Sequence, residues 1–87
     1  MTDKILIKLD VFGIDETYDV FIPANEIVWK IKAMLAKCVS DLEYLKFNPN
    51  DEVIILNKKT GNIYNNNEII IDTDIRNGTE LLLIAKV

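Results

Sequence analysis

The chain contains no histidine. That removes the side chain most often used as a general base and the commonest zinc-ligating nitrogen. Its single cysteine, Cys38, leaves no intramolecular disulfide to form. Basic charge is in deficit: ten Lys and Arg stand against fourteen Asp and Glu, a formal net charge of −4. Nucleic-acid domains normally carry a basic face, so that class of partner is not expected. No stretch approaches the ~20 consecutive apolar residues of a membrane span, so no direct membrane insertion is expected. The opening Met1-Thr2-Asp3-Lys4 leads into polar alternation rather than the apolar run of a signal peptide. A cytoplasmic protein is the expectation. No linker, repeat or low-complexity segment breaks the sequence, and no catalytic motif stands out.

What is present is apolar and periodic. Hydrophobic residues make up 49% of 87 residues. A chain of this size buries about 60% of its surface, enough for one small core and not for two. A single domain spanning 1–87 follows. Ile5, Ile7, Leu9 and Val11 alternate with Lys4, Leu6, Lys8 and Asp10, the period of a half-buried strand over Lys4–Val11. Gly13-Ile14-Asp15-Glu16 reads as a turn. Thr17–Ile22 alternates again, with Tyr18, Val20 and Ile22 toward the core and Pro23 ending the strand. Asn25 reads as an N-cap for a helix over roughly Glu26–Val39, with Glu26 favourable to the helix dipole. Ile27, Val28, Ile31, Met34, Leu35, Cys38 and Val39 form its apolar stripe. Ser40-Asp41 is expected to unwind it. Asp41–Asp51 reads as irregular, with Leu42, Tyr44, Leu45 and Phe47 closing the end of the core.

Strands resume at Glu52–Asn57. Lys58–Asn62 is a hairpin turn in which Gly61 supplies positive φ, and Ile63-Tyr64 a short return strand. Asn65–Asn67 and Asn77-Gly78 are turns. Thr79–Ala85 is apolar on both faces, which places it in the centre of a sheet, beside the first strand and parallel to it.

Few residues invite chemistry. Cys38 has no histidine to activate it and sits on the helix stripe. It reads as a small buried hydrophobe, with Cys38→Ser expected to cost about 1–3 kcal/mol. The acids of Asp15-Glu16, Asp51-Glu52 and Asp72/Asp74 sit in turns, and Asp72-Thr73-Asp74 lacks the glycine and distal glutamate of a calcium loop. Solvated turn acids are the simpler reading. Lys58–Asn62 is basic and contains Gly61 but lacks the glycine spacing of a phosphate loop. No catalytic, metal or cofactor residue is assigned.

Two features point to binding. Trp29 lies roughly opposite the helix stripe, with Lys30, Ala33 and Ala36. It either packs against Asp41–Asp51 or anchors a partner, the role for which tryptophan is enriched. A single helix covers one face of a sheet, and the other is normally polar. Here that face would carry Leu6, Phe21, Ile54 or Ile55, and Leu82 or Ile84. A contiguous apolar row of this kind suggests a contact patch. The candidate protein-binding residues are therefore Leu6, Phe21, Trp29, Ile54, Leu82 and Ile84.

Two strands, one helix, then a second block of strands is the order of a ubiquitin-like β-grasp. The expected fold is α+β, with a mixed four- or five-stranded sheet and one crossing helix. Thr17–Ala24 followed by Ile27 and Ile31 resembles the small bacterial ubiquitin-like proteins of the YukD/EsaB family. Ile63-Tyr64 and Asp72–Leu81 resemble that family's closing segment, whereas Phe47–Asp51 and Asn65–Asn67 have no counterpart in it. The resemblance spans nearly the whole chain but rests on patterns rather than an invariant catalytic motif. It implies a noncatalytic accessory component of the Gram-positive type VII (WXG100/ESX-like) secretion system. The implied partner is a cytoplasmic domain of that machinery, with a second copy of the chain as another candidate.

Ubiquitin-like modifiers and sulfur carriers act through a terminal Gly-Gly. The sequence given ends Ala85-Lys86-Val87, so binding is expected rather than conjugation. A regulatory subunit of a multicomponent oxygenase, on the same scaffold, stays open.

Overall fold

The computed structural model describes residues 3–43 and 53–85, with side chains unassigned for 40–43 and 85. In chain order the elements are β1 (Lys4–Val11), β2 (Ile14–Pro23), α1 (Val28–Glu43), β3 (Val53–Asn57), a short 3₁₀ turn at Ile70–Asp72 and β4 (Glu80–Ala85). The strands form one four-stranded sheet in the order β2-β1-β4-β3. β1 pairs antiparallel with β2 and parallel with β4, and β3 pairs antiparallel with β4. This is the expected α+β sheet, with β4 central and parallel to β1.

Period-2 alternation gives β1 its inner face. Ile5, Ile7, Leu9 and Val11 are buried, and Leu81, Leu83 and Ile55 join them from β4 and β3. Val28, Ile31, Leu35 and Val39 of α1 close the core from above. Fully burying each such side chain stabilises the fold by about 1.5–3 kcal/mol. Tyr18 and Val20 of β2 are half-buried against the same cluster, and Ile22 is fully inside.

The helix departs from the sequence reading at both ends. Asn25 is not its cap. The carbonyl of Ile27 accepts the first helical bonds, from Lys30 and Ile31 at 3.1 and 3.2 Å. The orphan N–H groups of Val28 and Trp29 donate to the carbonyls of Glu68 and Asn66, at 2.8 and 3.2 Å. A neighbouring loop thus does what a capping side chain would do. Ser40-Asp41 does not unwind the helix, which continues to Glu43. Serine and aspartate cost under ~1 kcal/mol each in a helix interior, too little to stop one anchored by buried Val39. The proposed core plug of Tyr44, Leu45 and Phe47 lies outside the described residues, and the side chain of Leu42 lies outside those described.

Cys38 corrects the sequence reading. It is exposed. At 100° per residue it sits about 60° from Leu35, on the flank of the stripe shared with half-buried Ile27 and Met34. The apolar stripe is wider than the surface the sheet can cover.

Two smaller differences concern strands. β2 begins at Ile14 rather than Thr17, because the β1–β2 register slips between Asp10↔Thr17 and Val11↔Ile14. That bulge takes Asp15 and Glu16 into the strand and leaves Phe12-Gly13 as the turn, with Gly13 at φ 87°. The return strand at Ile63-Tyr64 is a single bridge, Leu56↔Ile63. Tyr64 instead turns inward and is buried. Its hydroxyl donates to Asp74 Oδ1 and accepts from Asn57 Nδ2 at 3.3 Å. The hairpin before it closes on Gly61, at φ 77°, whose N–H donates to the Asn57 carbonyl at 2.7 Å. Asn57 Oδ1 accepts from Lys59 and Thr60 N–H, so one buried asparagine organises the turn.

Two expectations follow. A thiol reagent should label Cys38 about as fast in the native state as in denaturant, and Cys38→Ser should change stability by no more than about 0.5 kcal/mol. Slow native labelling would return the residue to the core.

Burial, reinforced by the Asp74 carboxylate, pushes the Tyr64 phenol from 10.0 up to about 12. The folded state therefore keeps a proton that the unfolded chain releases. This stabilisation is complete below pH 10 and is lost as pH rises toward 12. Denaturant melts through that window should show the decline, and Tyr64→Phe should flatten it. A decline of the same size in the variant would assign it elsewhere.

Candidate protein-docking face

The side of the sheet away from α1 carries no described element. Strand register arranges it in rows. Leu6 pairs with Phe21. Lys8 lies between Asp19 and Glu80, and Asp10 between Thr17 and Leu82. Leu82 pairs in turn with Leu56, and Ile84 with Ile54.

The sequence reading left two choices open, and register resolves both. Ile54 faces outward because Ile55 is fully buried. Leu82 and Ile84 both face outward, since Leu81 and Leu83 are the buried pair. The six candidate residues are not one surface. Leu6 and Phe21 form one apolar corner, with Phe21 63% exposed. Ile54, Leu82 and Ile84 form another. The charged row of Asp19, Lys8 and Glu80 runs between them. Trp29 belongs to neither: it is half-exposed in the first turn of α1, in the other layer, with Lys30 Nζ 5.6 Å from its ring centre.

Phe12 was missed. It is the most exposed large apolar side chain described, at 70%. Its N–H donates to the Leu83 carbonyl at 2.9 Å, which extends the β1–β4 ladder one residue and sets Phe12 beside the Ile84 position. The signal was available: residues 4, 6, 8, 10 and 12 continue one alternation, and the turn glycine follows only at 13.

Lys8, Asp19, Asp10 and Lys58 are paired across the face. Lys8 Nζ lies 3.4 Å from Asp19 Oδ1. Asp10 accepts from Lys58 Nζ and, at 2.6 Å, from the Thr17 hydroxyl. The Lys58 bond, with the Thr17 bond second, holds the Asp10 carboxyl below its usual 3.8, and the same pairing holds the Lys58 ammonium above 10.5. These groups can orient an approaching surface. They include no nucleophile–base pair, and no three His, Cys, Asp or Glu among the described residues come together to hold a metal.

No family model and no curated protein matches the chain. Solved structures do. Ubiquitin of Caldiarchaeum subterraneum is 16% identical with a TM-score of 0.69, the match covering 98% of this chain and 96% of that one. A chain of the ESX-5 inner membrane complex is 16% identical with a TM-score of 0.76, covering 97% of this chain and 21% of that one. A chain of the toluene 4-monooxygenase HD complex is 5% identical with a TM-score of 0.80, covering 97% and 100%. At these identities the likeness is one of fold, and the fold is the ubiquitin-like β-grasp.

The Asp10 pairing makes a pH prediction. Its depressed carboxyl contributes stability that is fully present above 3.8 and is lost as pH falls through the depressed value. Asp10→Asn should flatten the acid limb of the stability profile by lowering stability above 3.8, while leaving it little changed at pH values below the depressed one. An unaltered acid limb would mean that the pair does not persist in solution.

Proposed function

We propose that this chain is a noncatalytic ubiquitin-like binding module that serves a Gram-positive type VII secretion system. It docks through its outer sheet face onto a cytoplasmic protein domain of that machinery. The observation that carries the reading is the apolar corner made by Phe12, Ile54, Leu82 and Ile84 on a face that no described element covers. Scattered apolar residues are ordinary on a surface, whereas a group brought together by register marks a contact.

The secretion assignment is supported by the YukD/EsaB resemblance of Thr17–Ala24 and by the fold likeness to a segment of an ESX-5 inner membrane complex chain. A second reading, a small subunit of a multicomponent oxygenase, is favoured by one specific observation. The toluene 4-monooxygenase chain is matched over its full length.

Pull-down and sedimentation against the cytoplasmic region of a type VII secretion ATPase, and in parallel against an oxygenase hydroxylase, separate the two readings. Binding to the first is expected. Phe12→Ser should weaken it by about 2 kcal/mol with an unchanged melting temperature, because the side chain touches little of the core. Phe21→Ser reads the other corner and should also leave the fold intact. Loss with Phe21→Ser alone would move the contact across the charged row. Loss with neither would remove the sheet face and leave Trp29 as the anchor. Binding to the hydroxylase alone would replace the secretion reading.

A further inference from the structure

The sheet has two edges, and they are finished differently. The β3 edge is met by the return chain at the Leu56↔Ile63 bridge. The β2 edge carries no pairing among the described residues. It is also the longest strand among the described residues, ten residues from Ile14 to Pro23. Long open edges are the places where another strand pairs, and proteins usually shorten, cover or bulge them.

The hydrogen-bond phase of β1 shows which β2 groups point away from the sheet. Lys8 N–H donates to the Thr79 carbonyl at 3.0 Å, and the Leu6 carbonyl accepts from Gly78 N–H at 2.8 Å. The even-numbered residues of β1 thus direct their backbone groups toward β4. The odd-numbered ones bond β2, through Ile5↔Ile22, Ile7↔Val20 and Leu9↔Tyr18. On β2, the N–H and C=O groups of Thr17, Asp19 and Phe21 must therefore point outward. All three residues are exposed. They span about 13 Å at ~3.3 Å per residue, enough to receive a five-residue strand.

Charge decides what that strand is. Asp15, Glu16 and Asp19 lie along β2, which has no basic residue. Asp19 is paired to Lys8, while Asp15 and Glu16 form no ion pair among the described residues. Self-pairing of two such edges would bring like charges together, which is unfavourable. The inner rim, Tyr18 and Val20, is half-buried and apolar.

We propose that the outer edge of β2 at Thr17–Phe21 is a strand-addition site. It takes an extended segment of a partner protein in which apolar residues alternate with lysine or arginine. The backbone ladder supplies affinity, the apolar residues cover the rim of Tyr18 and Val20, and the basic residues meet Asp15 and Glu16. The site is separate from the Phe12–Ile84 corner and does not depend on it.

The test uses the intact ¹⁵N-labelled protein and a capped peptide of alternating valine and lysine. The expected result is amide shift changes concentrated in β2, with slowed hydrogen exchange at Thr17, Asp19 and Phe21. Two control peptides carry N-methyl groups on one or the other alternate set of residues. Methylation of the set facing β2 should abolish binding, and methylation of the other set should spare it. The Asp15→Lys, Glu16→Lys double variant should weaken binding about tenfold. Shift changes elsewhere, equal binding of both methylated peptides, or no binding would overturn the proposal. So would concentration-dependent self-association through β2, which would make a second copy the occupant.

Discussion

Parallel strands cannot be joined by a hairpin, so pairing β1 with β4 obliges the chain between them to cross the sheet. Much else follows. The crossing must leave one face, and α1 is the element that lies on it, with Val28, Ile31, Leu35 and Val39 over Ile7, Leu9, Leu81 and Leu83. The approach to β4 then has to be held in register with β1. Leu6 N–H donates to Asn77 Oδ1 at 2.8 Å, Gly78 N–H returns to the Leu6 carbonyl at 2.8 Å, and Lys8 N–H takes the Thr79 carbonyl. The turn before β4 is therefore built into the ladder. A slip of one residue there would exchange buried Leu81 and Leu83 for Leu82 and Ile84.

The start of α1 depends on the same crossing. Glu68 and Asn66 cap its first N–H groups, and Ile69 pairs with Ile27 at its entry. The Ile70 N–H reaches the Glu26 carbonyl, and the Ile71 N–H the Ala24 carbonyl, at 3.0 and 2.7 Å. The loop is thus a structural partner of the helix rather than a connector.

That arrangement explains what the sequence disclosed and what it withheld. β1 was legible to its bounds because alternation on a one-sided strand is unambiguous, and the position of β4 was legible because Leu81–Ile84 is apolar on both faces. The helix was legible as an element, but its caps were not. Asn25 is a good capping residue locally, and only tertiary structure brings the Glu68 carbonyl to the Val28 N–H. Cys38 was misread because helical periodicity reports direction and says nothing of how far the opposing sheet extends. On the candidate face, the residues were named from alternation, but their grouping required register. Sequence spacing does not reveal that register sets Lys8 between Asp19 and Glu80, or that Lys58 reaches Asp10 from the turn after β3. Phe12 fell between a strand read to Val11 and a turn read from Gly13, and Asp15-Glu16 were placed in that turn although the bulge carries them into β2.

The charged row makes a small contribution to stability by itself. The Lys8–Asp19 pair is exposed at both ends, and solvent screens such pairs to roughly 0–1 kcal/mol. Its larger effect is on what can approach. An unbroken apolar sheet face would accept any flat apolar surface, including another copy of itself. With Lys8, Asp19, Asp10 and Lys58 set between the corners, a surface that covers both must bring polar groups to the middle or leave charges desolvated and unmet, which is costly. The apolar corners would then supply affinity while the row selects register and partner. A one-helix sheet can therefore expose enough apolar surface to bind and still refuse most of what would stick to it.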